Sequence, residues 1–220
     1  MTLTGAQRAL LACGAIGAPL FVVVFLVESA IPAIRPLGYS PLRHPVSSFV
    51  LGEFGWAQIA NFLVTGVLML AFAVGLRPAL RPYGGGIWAP VLMGLLAVGL
   101  IGSGVFAADP LSGYPPGTPM VPDRTTEGAL HDAFGILVFL VGLPAGCSVV
   151  AYRFATSGRR GWAGYSAGTA VAFLTGFVLT SMGFAQHPTL MPIGGLLQRL
   201  TIAVGLAWIT ALALHLLRRA

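Results

Sequence analysis

The chain has 220 residues, of which 56% are hydrophobic and only 8% charged, with a formal net charge of +6. A soluble domain carries about 25% charge, so this composition cannot dress a water-facing globule. It excludes a soluble enzyme, a disordered tail and a small disulfide-stapled domain. All twelve basic residues are arginine. In a chain with mean hydropathy +0.88, that excess reads as membrane orientation and not as nucleic-acid binding.

A bilayer crossing takes roughly 20 residues, so six would use roughly 120. Six stretches, uncharged but for residues near their ends, supply them, at approximately residues 9–30, 56–76, 87–108, 131–153, 162–185 and 195–217. The expected fold is all-α: a six-helix transmembrane bundle forming one polytopic domain over residues 1–220. The first stretch follows Arg8 and resembles a signal peptide. Its 19 uncharged residues (Ala9 to Val27) exceed an h-region, and five more spans follow, so it reads as an uncleaved first helix. From Arg8 to Glu28 is about 30 Å of helix, which puts Glu28 at the membrane boundary.

The first loop carries His44-Pro45 and then Ser47 and Ser48, expected to cap the second helix. Asn61, in mid-span, is expected to bond between helices. Gly99 and Ser103 form a small-residue step for close packing in the third span, and Asp109 closes that span. The next loop holds Pro110, Pro115, Pro116, Pro119 and Pro122 with Gly113 and Gly117. Proline fixes φ and removes donors, so this segment should be stiff and non-helical. A loop of this length reads either as a lid or as a solvated connector. His131 and Asp132 open the fourth span, which Pro144 should kink. Gly164 and Gly168 form a GxxxG step in the fifth. His187-Pro188 follows it, and Gln198 and Arg199 lie one turn into the sixth. Trp56, Trp88 and Trp162 mark span ends. Cys13 and Cys147 lie in apolar runs and read as free thiols.

With the N-terminus inside, eight arginines face the cytoplasm and four face outward. Both termini are therefore expected in the cytoplasm, with the longer loops extracytoplasmic. All six acidic residues and three of the four histidines then fall on the outer side. Glu28, His44, Asp109, His131, Asp132, His187, Gln198 and Arg199 are expected to gather in one outward pocket. Arg199 either snorkels or pairs with Asp109, Asp132 or Glu28. Asp109 and His131 are the candidate acid–base pair, and the others are candidate ligand contacts. No cofactor is expected. Were a divalent metal held, His131, His187 and Asp109 would hold it, but no local metal motif is present. The serines lack a nucleophile elbow. No internal repeat of the transporter kind is visible.

The runs His44-Pro45-Val46-Ser47-Ser48, Gly55-Trp56, Asn61-Phe62, Gly104-Val105-Phe106 with Asp109-Pro110, Gly113 to Pro119, Gly128 with His131, and Gly195 to Arg199 with Trp208 resemble the bacterial membrane family filed as domain of unknown function 998. The resemblance spans nearly the whole chain in order. It implies a multi-span protein of the bacterial inner or plasma membrane and carries no settled activity. Three functions stay open. One is an outward site for a membrane lipid or isoprenoid, with or without catalysis. The others are a small-solute or proton-coupled transporter and a non-catalytic scaffold. No nucleic-acid partner is expected, and the oligomeric state is not legible.

Overall fold

A computed structural model describes residues 3–219. With no water in the hydrocarbon core, each spanning segment must satisfy its own backbone, which the helix does. The helices are α1 (Gly5–Ala30), α2 (Gly55–Ala79), α3 (Trp88–Val105), α4 (Thr126–Ile136), α5 (Leu143–Thr156), α6 (Arg160–Phe184) and α7 (Gly194–Arg219). A π-helical segment, Leu137–Gly142, joins α4 to α5, so Thr126–Thr156 is one continuous span. Six helices are thus long and apolar enough to cross a membrane. Together they form a membrane-spanning helical bundle.

Helix α1 opens on a capping box, in which Thr4 and Gln7 exchange side-chain and backbone bonds. It runs antiparallel to α2 with small residues at the seam. Gly14 lies under the Phe72 ring, and Gly17 lies against Leu68 and Met69. Asn61 donates to the Phe21 carbonyl at 3.2 Å, which is the interhelical bond expected of it. Helices α3, α5, α6 and α7 complete the bundle, and large apolar side chains such as Val23, Val67, Val171 and Val178 point outward.

One end of the bundle carries Arg8, Arg77, Arg81, Arg153, Arg159, Arg160, Arg218 and Arg219 and is the arginine end. An aromatic cluster closes it. Tyr83 meets Phe154 at 4.6 Å between ring centroids, and Trp162 meets His215 at 4.4 Å. The opposite end carries the long connections and is called the loop end.

Several local expectations change. Helix α3 stops at Val105 because Phe106 turns extended, so Asp109 sits in the loop beyond the helix. Asp109 precedes Pro110, and a residue before proline is pushed away from helical geometry. Helix α4 begins more than a turn earlier than expected, because Thr125 serves as its N-cap and accepts from the Gly128 N–H at 3.0 Å. His131 and Asp132 therefore lie inside the helix. Ser47 and Ser48 do not cap α2. They belong to a 3₁₀ turn, Ser47–Leu51, and α2 starts after Phe54 with no side-chain cap. Gly164 and Gly168 face outward with nothing near them. The close seams form instead at Gly99, whose Cβ position lies 2.7 Å from the Phe134 carbonyl, and at Gly102, which the Phe134 ring covers.

The π segment has a local cause. Pro144 has no N–H to give the Leu140 carbonyl, and its ring would collide with that carbonyl in a regular helix. Widening the preceding turn relieves both problems.

Candidate functional site

The loop end divides its polar residues between two places. The first is built around Arg199, one turn into α7 and only 7% exposed. Its Nη1 donates to the carbonyls of Pro41 (2.6 Å), His44 (3.0 Å) and Gly195 (3.0 Å). Its Nη2 donates to Ser29 Oγ at 3.4 Å and to the Tyr39 hydroxyl. The guanidinium also lies over the Phe25 and Tyr39 rings, 6.0 and 5.7 Å from their centroids. The fork thus ties the α1–α2 loop to α7 and to the end of α1. Snorkelling does not describe this residue.

Nor does ion pairing. Arg199 forms no ion pair with any carboxylate among the described residues. Glu28 is buried within its electrostatic range, with Oε1 lacking a protein partner. Loop carbonyls reach the guanidinium because the chain folds back over it. Gly195 makes this possible, since the carbonyls of Pro41 and His44 occupy the space a Cβ would take.

His44 belongs to the same assembly. Its Nδ1 accepts from the Ser40 N–H at 2.9 Å, and its ring packs 5.7 Å from Tyr39 and 5.2 Å from Tyr114. Tyr114 is the buried anchor of the Pro–Gly segment, where Leu111 and Tyr114 form a small two-way bridge. That segment therefore rests on the first loop. Burial holds the Tyr39 hydroxyl up at about 12 against the Arg199 charge, and it also raises Tyr114.

Burial, joined by the charges of Arg43 and Arg199, holds the His44 imidazole below its ordinary 6.5, against a bond to the Ser112 backbone that favours the cation. The unfolded chain then takes up this proton at higher pH than the folded one. The stability contribution is full above about 6.5 and is lost as pH falls through the folded value. Thermal unfolding in detergent between pH 7.5 and 5 should show a falling Tm. His44→Gln should flatten that slope, and an unchanged slope would assign it to other groups.

The second place is a narrow cavity of about 70 Å³ between α3, the fourth span, α6 and α7, reaching α1 and α2 at Phe21 and Phe62. At the loop end its wall carries Ser47, Ser103, His131 and Gln198. Deeper it is apolar: Leu96 and Leu100 from α3, Val138 and Phe139 from the π segment, Leu143, Phe173, and Ile202 with Leu206 from α7. The extra girth of the π segment shapes this wall. His131 places Nδ1 3.0 Å from the Phe106 carbonyl, and its ring meets Phe62 edge-on at 6.2 Å. Gln198 accepts the Val46 N–H at 2.8 Å through Oε1.

The remaining candidates lie elsewhere. Asp109 accepts from Thr125 twice, at 3.0 Å from N–H and 2.6 Å from the hydroxyl, and lies against Gly128. It braces the cap of α4. Asp132 pairs with Arg124 at 2.5 Å on the exposed surface. His187 is exposed, and its backbone closes the end of α6. The eight residues thus do not meet in one pocket. Helix position explains this, because adjacent residues such as His131 and Asp132 diverge by about 100°. Among the described residues no three of His, Cys, Asp and Glu converge as metal ligands. Sequence reasoning missed Tyr39, Tyr114 and Ser29. Isolated hydroxyls in loops or at a helix end give no periodic signal.

This architecture defines a multi-span helical membrane protein with a buried arginine clamp and an apolar cavity at one end. The chain belongs to the family described as Protein of unknown function (DUF998), whose match covers residues 15–215. No curated protein and no solved structure matches it.

Proposed function

We propose that the protein binds a lipid-like or isoprenoid molecule, holding its apolar chain in the cavity with its polar end towards the loop end. The observation that carries this reading is the gradient along the cavity wall. Three of the surrounding spans each place one polar residue (Ser103, His131 or Gln198) at the loop end and apolar residues below it. From Gln198 to Leu206 is about 12 Å of helix, most of one half of a ~30 Å hydrocarbon core. That depth matches one leaflet, and the narrow space of about 70 Å³ widens between the spans as a chain enters. Sites for small molecules are typically such apolar recesses with a few placed polar groups.

The arginine distribution supports a cytoplasmic arginine end, so the cavity would serve the outer leaflet of the cell membrane. The reading is binding and not acid–base catalysis by a pair, because both Asp109 oxygens are committed to Thr125. Transport draws less support. The mid-span polar groups Asn61 and Thr65 bond to Phe21, Gln58 and one another.

Leu206→Trp tests the reading by filling the deep part of the cavity. Farnesol retained by the purified protein, measured by native mass spectrometry, should fall at least tenfold, with Tm nearly unchanged. Undiminished retention by a folded variant would overturn the proposal.

A further inference from the structure

The polar mouth of this cavity has a definite hydrogen-bonding sense, and this inference rests on the binding reading above. A carbonyl oxygen can only accept, so the 3.0 Å contact between His131 Nδ1 and the Phe106 carbonyl places the proton on Nδ1. In the neutral imidazole, Nε2 is then a bare acceptor. Gln198 has the opposite sense. Its Oε1 is fixed by the Val46 N–H at 2.8 Å, which identifies the amide oxygen and leaves the NH₂ group as donor. Neither Nε2 atom has a hydrogen-bond partner within the protein. Ser103, 5% exposed, adds a hydroxyl to the same wall.

The charges near the cavity are turned elsewhere. None of its lining residues is Arg, Asp or Glu. Arg199, next to Gln198 in sequence, directs its guanidinium to the carbonyls of the first loop. Asp132, next to His131, pairs with Arg124 on the surface. A phosphate or carboxylate entering the cavity would meet no arginine, and burying an unpaired charge is far costlier than burying a bonded neutral group.

We propose that the ligand's polar end is a neutral hydroxyl, and that the occupant is a long-chain or isoprenoid alcohol. The hydroxyl donates to His131 Nε2 and accepts from the Gln198 amide. One O–H group satisfies both, and the chain continues down the wall towards Leu206. An ether keeps the acceptor and loses the donor. A hydrocarbon loses both, and a phosphate ester adds an unpaired charge.

The test compares farnesol, its methyl ether, the parent hydrocarbon and farnesyl phosphate on the full-length protein in nanodiscs. Farnesol should bind at least tenfold tighter than the ether and the hydrocarbon, with the phosphate weakest. His131→Phe, which keeps the ring and removes the acceptor, should bring farnesol and ether to equal affinity. Gln198→Leu should weaken both. Equal affinity of farnesol and its ether for the unmodified protein, or a preference for the phosphate, would overturn the alcohol assignment while leaving chain binding intact. Failure of all four ligands to bind would overturn the binding reading itself. The ligand series on the unmodified protein decides the matter even if a variant fails to fold.

Discussion

Replacing Arg199 with methionine should destabilise the protein by about 3–5 kcal/mol, because several buried acceptors lose their donor together. The carbonyls of Pro41 and His44 and the Tyr39 hydroxyl all face this guanidinium. Methionine matches much of the side chain's bulk, so the loss is one of bonding and not of volume. Thermal unfolding in detergent should show the drop, and limited proteolysis should cut first within residues 31–54, the loop the fork holds down. Arg199→Lys should restore only part of the stability, since an ammonium is a point donor and cannot reproduce a planar fork. A methionine variant with unchanged Tm and an intact loop would show that the clamp contributes nothing.

The second large effect is expected from Gly102→Val. Any Cβ at this position falls inside the Phe134 ring, which stacks on Phe106 at 5.7 Å and 9° and cannot swing aside freely. Helix α3 and the fourth span must separate. Overpacking of this kind costs typically 1–3 kcal/mol. The separation occurs beside Ser103 and His131, so it should also weaken farnesol retention by at least tenfold. A stable variant with full retention would mean that the two helices part without disturbing the cavity. Gly102→Ala should give a smaller loss of the same kind.

The bundle itself was readable because charge-free stretches of membrane length have few other fates. Its ends were less so. Helix α4 starts early on the strength of one capping threonine, and α3 stops at Val105, where the apolar run continues but Phe106 turns extended. Hydrophobicity marks neither end. At Arg199 the sequence leaves snorkelling or a carboxylate partner open, and the structure has neither: its partners are carbonyls and hydroxyls. The carbonyls are backbone groups, which every residue possesses, so composition cannot announce them. The cavity escaped detection for a related reason. Its lining comes from Leu, Phe, Val and Ile positions that look identical to packed core, and only the small mismatch between helices makes the space. The outward Gly164 and Gly168 show the reverse: a motif associated with close packing was present without a neighbour to pack on.

The π segment leaves the fourth span with one surplus residue relative to a regular helix joining the same ends. Pro144, which a regular turn could not accommodate, anchors that surplus at Leu137–Gly142. The surplus offsets the loop-end half of the span from the arginine-end half by about 100° about the helix axis, so the face this span turns to the cavity is set by a proline that does not itself line it.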